Sequence, residues 1–259
     1  MKARIAAVAG AVTLALFAGA TTLRAPHAIE AAPALGLPPP VAPAFTPGSP
    51  VPLGSTRHLS RWAAVRHPTV ARSAPAPSAP AVAQLGLTTP EGTANAVGVL
   101  ARRVGADGHP WVRVRLAVLP NGSTGWVRRT ALAGYTTVNT RLEVDLRALE
   151  ATLERNGRAV LQVPVGVGRP GWETPRGRFY VRNRLTRYRS PEYGPIAFGT
   201  SARSPAATGW PAGGFVGIHG TDRPDLVPGR VSHGCIRMRN ADILALARLM
   251  AVGTPVVIR

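Results

Sequence analysis

Apolar and polar residues alternate along much of the chain with a period of two, which is typical of half-buried β-strands. The alternation is clearest in two stretches, at Val112, Val114 and Leu116 and again at Leu142, Val144 and Leu146. Turn sequences accompany these stretches. Asn121-Gly122 precedes a further predicted strand, and Asn156-Gly157 predicts a two-residue hairpin turn. The pattern therefore indicates a mainly β fold with one or two helices.

A helical period of 3.6 residues is clear in one segment, at about residues 240–250. Its apolar residues share one face: Ile243, Leu246, Ala247 and Met250. We expect Asn240 to cap this helix and Asp242 to lie in its first turn, where a carboxylate complements the helix dipole.

The amino terminus has the pattern of an export signal. Lys2 and Arg4 precede an uncharged apolar run at 5–23, and Ala18-Gly19-Ala20 supplies the small residues of a cleavage site. Residues 1–20 are therefore predicted to be a signal peptide, or an uncleaved anchor that extends to about residue 23. No cysteine stands directly after the run, which excludes an acylated-cysteine lipoprotein anchor.

Three further regions are predicted after this signal. Residues 21–83 are rich in proline and alanine, a composition that predicts a disordered tether because proline removes backbone donors and fixes φ. A small β module is expected at 84–136 and a second, larger β domain at 137–259. Trp111 and Trp126 in the small module pack its core or bind a wall ligand, and packing is the favoured interpretation.

The charge balance limits the classes of partner. The 259 residues carry 31 Lys and Arg against 12 Asp and Glu, a formal net charge of +19. Such a charge often indicates nucleic-acid binding. The arginines are nevertheless spread through all regions, and the chain is predicted to be exported, so no nucleic-acid partner is expected. Anionic wall polymers and membrane surfaces are the expected counter-ions.

The candidate chemistry centres on Cys235, the one cysteine in the chain. His233 lies two residues before it and His219 sixteen residues before it, while Gly234 removes a side chain beside the sulfur. A lone Cys is often a small buried apolar residue. Two histidines flanked by glycines favour an activated nucleophile instead. A zinc site is not expected, because structural zinc needs four ligands at short spacings.

These residues resemble a known family. Ser232-His233-Gly234-Cys235-Ile236-Arg237-Met238, preceded by Gly217-Ile218-His219-Gly220-Thr221, is similar to the active-site signature of the L,D-transpeptidases with a YkuD-type catalytic domain. Thr174-Pro175-Arg176-Gly177-Arg178-Phe179 resembles the Thr-Pro-x-Gly-x-Phe element of that family. The resemblance covers about 140–259 and implies a β-sandwich. The small module at 84–136 more weakly resembles the SH3-like modules that precede some of these domains.

The resemblance implies roles for four residues. Cys235 is the nucleophile, His219 the general base, and His233 with Gly234 part of the oxyanion site. A thiol is only a few per cent ionised at neutral pH, so a neighbouring imidazole is needed to raise its reactive fraction. Because Gly220 follows the base, no hydroxyl there can orient it. We expect a backbone carbonyl to hold the second imidazole nitrogen.

Three residues beside this set are candidate substrate contacts: Gly220, Ser232 and Arg237. For Arg237 two interpretations stay open, a structural guanidinium or an anchor for a substrate carboxylate. Ser232 is expected to orient its neighbours and not to act as a nucleophile.

The resemblance implies an exported enzyme of the cell wall that acts on peptidoglycan stem peptides without a cofactor. A thioester on Cys235 would pass the acyl group to an amine and form a 3-3 crosslink. If water resolves the thioester, the enzyme is an L,D-carboxypeptidase. A wall-binding protein with an idle site is the third hypothesis. The same resemblance predicts that carbapenems acylate Cys235, and 137–259 is expected to hold the whole catalytic set.

Overall fold

The structure, a computed structural model, describes residues 48–53, 58–188, 190–207 and 214–259. The predicted signal peptide at 1–20 and the first part of the predicted tether lie outside the described residues. Within the described residues, no helix has both the length and the apolar character needed to cross a membrane. The described chain is mainly β, as predicted, with one α-helix and short 3₁₀ turns.

The first sheet contains eight strands, and every pair of neighbours is antiparallel. The strands are β1 (Val51–Pro52), β2 (Ser60–Ala64), β3 (Thr69–Arg72), β4 (Ala81–Leu85), β5 (Ala96–Val104), β6 (Pro110–Arg115), β7 (Thr124–Arg128) and β8 (Thr136–Val138). Their order is β4-β3-β7-β6-β5-β2-β8, and β1 pairs with β5. The chain leaves this sheet at Asn139.

The predicted tether at 21–83 is wrong over its last part, because β1, β2 and β3 lie within it and β4 begins there. Small apolar side chains make these strands possible: Ala63 and Ala71 are fully buried in the core of the first sheet. Pro75 and Pro77 lie in the connection between β3 and β4, where no ladder hydrogen bond is required. The β module therefore begins well before residue 84. Its likeness to SH3 modules stays a prediction.

The interior of the first sheet follows the alternation in the sequence. Val112 and Val114 are buried on β6, while Arg113 between them is exposed. Trp111 and Trp126 are 2% and 7% exposed, so both side chains belong to the packed interior, as the packing interpretation predicts.

The second sheet contains ten strands, in the order β11-β10-β9-β18-β13-β14-β15-β17-β12-β16. They are β9 (Thr140–Asp145), β10 (Glu150–Arg155), β11 (Arg158–Pro164), β12 (Gly166–Gly168), β13 (Gly177–Leu185), β14 (Ala197–Arg203), β15 (Phe215–His219), β16 (Gly229–Ser232), β17 (Ile236–Arg237) and β18 (Pro255–Ile258). Three pairs are parallel: β9 with β18, β15 with β17, and β12 with β16.

The hairpin between β10 and β11 confirms the Asn156-Gly157 prediction. Both residues have positive φ, 51° and 77°, which is the geometry that a two-residue hairpin turn requires. The alternation on β9 is also confirmed, since Leu142, Val144 and the following Leu146 are all buried.

The helix α1 (Asn240–Leu249) confirms the helical prediction and corrects its cap. Ile243, Leu246 and Ala247 are buried on one face. Asn240 is the first helical residue and does not cap the helix. Its Oδ1 instead accepts a hydrogen bond from the Thr221 N–H at 2.9 Å, so this side chain ties the helix to the loop after β15.

The two sheets meet at Tyr180 on β13. Its ring is buried, and its hydroxyl donates to the carbonyls of Ala96 at 3.1 Å and Arg115 at 3.4 Å, on β5 and β6. Burial raises the pKa of Tyr180 to about 12, so the hydroxyl stays a donor at physiological pH. Near by, a Cβ added to Gly253 would overlap the Trp62 ring, which shows how closely β2 approaches the turn before β18.

We expect Tyr180→Phe to lower the free energy of unfolding by about 1 kcal/mol, because it removes one buried hydroxyl donor between the sheets and leaves the packing unchanged. Urea denaturation followed by circular dichroism measures the difference. Tyr188→Phe is the matched control, since Tyr188 donates to the Tyr193 carbonyl at an exposed position. Equal stability of the two variants would show that the Tyr180 hydroxyl does not stabilise the junction.

Candidate active site

A tight loop between β16 and β17 presents Cys235. Ser232 Oγ donates to the Cys235 carbonyl at 2.6 Å and accepts from the Gly234 N–H at 3.1 Å, so one hydroxyl closes the loop on itself. Gly234 has a φ of 110°, which side chains disfavour. Glycine is therefore required at this position by its backbone conformation.

Thr174 fixes this loop from outside. Its side chain is 3% exposed, and Oγ1 accepts from the Gly168 N–H and donates to the Gly234 carbonyl, both at 2.9 Å. The Thr-Pro-x-Gly-x-Phe element is thus joined directly to the nucleophile loop through the first residue of the element.

Cys235 and His219 line the same cavity, which has a volume of about 190 Å³. Parallel pairing of β15 with β17 sets Ile218 opposite Ile236, so His219, at the end of β15, and Cys235, immediately before β17, lie on adjacent segments. Gly217 lies between them. A Cβ on Gly217 would be 3.8 Å from His219 Cδ2 and 3.9 Å from Cys235 Sγ. Both side chains therefore pack over the same bare stretch of backbone.

The imidazole of His219 is oriented by a backbone carbonyl, as predicted. Nδ1 lies 2.7 Å from the Gly220 oxygen, and a carbonyl can only accept, so Nδ1 carries the proton and Nε2 keeps its lone pair. Burial lowers the pKa of His219 to about 4, with the Arg237 charge acting in the same direction and the Gly220 bond opposing it. The base is therefore neutral at physiological pH.

The thiol of Cys235 is also neutral at physiological pH. Burial raises its pKa above the ordinary value, while the Gly217 N–H, 3.4 Å from Sγ, and the Arg237 charge act in the opposite direction. Burial thus favours the neutral form of both Cys235 and His219.

Tyr193 contacts the base in a way that the sequence did not reveal. Its ring lies 4.7 Å from the His219 ring, at a tilt of 55°, and it lines the same cavity. Residues 191–193 form a short 3₁₀ turn before β14. No motif marks this tyrosine, so only the fold could identify it.

His233 lies at the cavity with its ring turned toward two neighbours. Nε2 is 2.8 Å from an Arg169 nitrogen, and Trp172 packs edge-on against the ring at 4.9 Å. Burial first, and then the Arg169 and Arg237 charges, lower the pKa of His233. Its imidazole therefore accepts a hydrogen bond from Arg169 and does not carry a positive charge at neutral pH.

The prediction that Gly234 contributes an oxyanion donor does not fit the geometry, because its N–H is bonded to Ser232 Oγ. The Ser232 hydroxyl, two residues earlier, accepts the hydrogen bond from this N–H. The spacing of the motif could not predict that contact. The N–H of Cys235, the next residue in the loop, is a second candidate for this role.

The three candidate substrate contacts do not line the cavity as far as the described residues define it. Ser232 is 1% exposed and holds the loop, while Gly220 orients His219 through its carbonyl. Arg237 packs beside Gly166 of β12, and among the described residues its buried Nε has no hydrogen-bond partner. The structure therefore favours the structural interpretation of Arg237, with an added electrostatic effect on Cys235 and His219.

The described residues contain no group of three or more His, Cys, Asp or Glu side chains arranged to hold a metal ion. The chemistry available to the cavity is that of a thiol, an imidazole and backbone dipoles, which together suit nucleophilic attack on a carbonyl.

Comparison with known proteins agrees with this geometry. Residues 139–258 match the model of the L,D-transpeptidase catalytic domain, YkuD. YkuD of Bacillus subtilis (strain 168), which carries the name of an L,D-transpeptidase, is 37% identical over 122 residues that cover 47% of this chain and 67% of that protein. YkuD of Bacillus licheniformis is 35% identical over 120 residues, with 46% and 66% covered.

Solved structures are similar over the same part of the chain. The crystal structure of an Enterococcus faecium L,D-transpeptidase mutant matches at 27% identity and a TM-score of 0.38, covering 46% of this chain and 49% of that one. The chain thus spans about half the length of this solved relative and about two thirds of the Bacillus proteins. Through its catalytic domain, this protein belongs to the L,D-transpeptidase family of the YkuD type.

Proposed function

We propose that the protein is an exported cysteine L,D-transpeptidase that forms 3-3 crosslinks between peptidoglycan stem peptides. The observation that supports this most is the arrangement of Cys235 and His219 in one cavity, with Nδ1 of the base held by the Gly220 carbonyl. Membership of the family supplies the substrate class. The amino-terminal pattern at 1–20 and the net charge of +19 support a location at the cell wall, among anionic polymers.

In the proposed reaction, substrate binding triggers the proton transfer that makes Cys235 nucleophilic. Nε2 of His219 takes the thiol proton as sulfur attacks the carbonyl carbon, and the C=O electron pair moves onto oxygen. The tetrahedral intermediate collapses, its C–N bond breaks, and imidazolium returns the proton to the leaving amine. The low pKa of His219 favours this return, because a weak base is the conjugate of a strong acid.

The second half of the reaction decides between transfer and hydrolysis. An amine from another stem peptide resolves the thioester and yields the crosslink, whereas water yields a shortened stem peptide. Both routes use the same thiol, imidazole and oxyanion donor. Whether an amine or water attacks the thioester therefore depends on how the cleft admits the acceptor. Crosslinking is our proposal, since a wall-attached chain meets acceptor stems at high local concentration.

Products from a purified stem tetrapeptide test this choice directly. We expect mass spectrometry to show a crosslinked dimer together with released D-alanine. A tripeptide without dimer would assign the enzyme to hydrolysis, and unchanged substrate in the presence of folded protein would favour the wall-binding hypothesis.

Cys235→Ala should abolish D-alanine release and the covalent adduct with a carbapenem, because the nucleophile is removed while a buried side chain of similar size remains. The intact mass of wild-type protein should increase by one drug equivalent, and that of the variant should not change. Loss of a nucleophile costs several orders of magnitude, so residual turnover above about 1% would contradict the mechanism. Circular dichroism of both proteins provides the control for folding.

The acylation rate should stay nearly constant as the pH falls from 8 to 5 and should decline as the pH approaches 4. The reason is that a base is active only when unprotonated, and burial lowers the pKa of His219 to about 4, so the neutral imidazole persists in mildly acidic solution. Second-order rate constants for carbapenem acylation, measured by intact mass against time, give the profile. A midpoint near 6.5, the value of a free imidazole, would show that His219 titrates as an exposed group.

A further inference from the structure

Ser204 is a buried hydroxyl without a partner at the edge of the catalytic cavity. It follows β14 directly, its side chain is 2% exposed, and within the described residues its Oγ has no hydrogen bond. A buried polar group left unpaired loses its hydrogen bonds to water without replacing them, so such groups are rare and need an explanation. The same side chain lines the cavity that contains Cys235 and His219. An unpaired donor in a reaction cavity points to a group supplied by the substrate.

The position of Ser204 relative to the nucleophile loop suggests which group that is. A Cβ placed on Gly234 would lie 3.6 Å from both Cβ and Oγ of Ser204, so the Ser204 side chain lies against the residue that precedes the nucleophile. The Gly234 N–H, which family resemblance assigns to the oxyanion site, is bonded to Ser232 Oγ. The Gly234 N–H is therefore already engaged, whereas the Ser204 hydroxyl is an unused donor in the wall of the cavity.

We propose that Ser204 is a catalytic residue that donates a hydrogen bond from Oγ to the oxyanion of the tetrahedral intermediates. This proposal rests on the proposed acyl transfer to Cys235. When the carbon–sulfur bond forms, the negative charge on the former carbonyl oxygen is shared between the Cys235 N–H and the Ser204 hydroxyl. No proton leaves Ser204. The charge returns to the carbonyl as the C–N bond breaks, and the same two donors serve when an amine attacks the thioester.

The first sheet holds Ser204 in place through the preceding residue. Asn121, in the turn between β6 and β7, donates from Nδ2 to the Arg203 carbonyl at 2.7 Å and accepts from the Arg203 N–H at 2.9 Å. The Ser204 N–H in turn donates to the Gly214 carbonyl at 2.9 Å. Three hydrogen bonds thus fix the backbone up to the Ser204 side chain, and we assign Asn121 as a positioning residue.

A second contact, made by a residue between β4 and β5, supports the wall of the cavity on which Ser204 lies. Glu91 pairs with Arg182 at 2.8 Å, and the Arg182 side chain is 3% exposed. The guanidinium groups of Arg182 and Arg203 stack over the Phe215 ring, at 3.7 Å and 4.7 Å from its centroid. The expectation that 137–259 holds the whole catalytic set is therefore incomplete, because residues before 137 position one of the proposed donors.

Ser204→Ala tests the proposal, with Ser201→Ala as a matched control. Ser201 is on the same strand and equally buried, but its Oγ accepts the Tyr180 N–H at 3.1 Å and does not line the cavity. We expect Ser204→Ala to slow acylation by a carbapenem about 10- to 100-fold, the effect of one oxyanion donor, with little change in the dissociation constant of the complex that precedes acylation. Its melting temperature should be unchanged or higher, because the lost hydroxyl had no partner.

The control should behave in the opposite way, with a lower melting temperature and an acylation rate per folded molecule equal to that of wild type. Acylation of Ser204→Ala within twofold of wild type would overturn the proposal. So would a loss of rate accompanied by the destabilisation seen in the control, since that indicates a structural hydroxyl. Failure of wild-type protein to acylate at all would instead refute the proposed function.

Asn121→Ala tests the positioning role through a double-mutant cycle. Alone, the variant should slow acylation in the same step as Ser204→Ala. Added to Ser204→Ala, it should cause little further loss, because its effect passes through the hydroxyl that is already absent. Fully additive losses would show that Asn121 acts by another route and would overturn its assignment.

Discussion

Parallel pairing of β15 with β17 is the constraint on which the active site depends. Parallel neighbours need a crossover connection, and here the crossover carries the loop that ends at Cys235. The pairing brings a residue at the end of one strand, His219, to the side of a residue that immediately precedes the other. Gly217 lies beside both side chains, at a distance where a Cβ would make ordinary contacts with them. Other features of the site, including Thr174, Ser232 and Asn240, fix the segments that join these two strands.

Burial determines the electrostatic state of the pair. A desolvated thiol and a desolvated imidazole both favour their neutral forms, so the resting enzyme holds no thiolate that would oxidise or react at random. The positive charge of Arg237 lowers the pKa of both groups, which makes the thiol easier to ionise and the imidazolium more acidic. Easier ionisation of the thiol favours the first proton transfer of an acyl exchange, and a more acidic imidazolium favours the second.

Sequence patterns could predict what depends on local chemistry. The β6 and β9 alternations, the Asn156-Gly157 hairpin and the apolar face of α1 all follow from periods and turn preferences that act over a few residues. The Gly220 carbonyl was predictable because it adjoins the base. The composition of 21–83 wrongly predicted disorder at β2 and β3, because alanines can fill core positions there as larger apolar residues do elsewhere. Tyr193, Ser204 and Asn121 carry no motif, since their positions depend on contacts between segments far apart in the chain.

The position of β18 has a consequence for how the second sheet can form. This strand comes after every other strand along the chain, yet it lies between β9 and β13 in the middle of the sheet. Thr140, the first residue of β9, and Thr254, just before β18, share a hydrogen bond of 2.6 Å although they lie 114 positions apart. The two sides of the sheet therefore have no common edge until residue 255 has been synthesised, and closure of so long a loop is slow. Cys235 is synthesised 20 positions before β18 begins, so the nucleophile exists before the sheet that supports it can close.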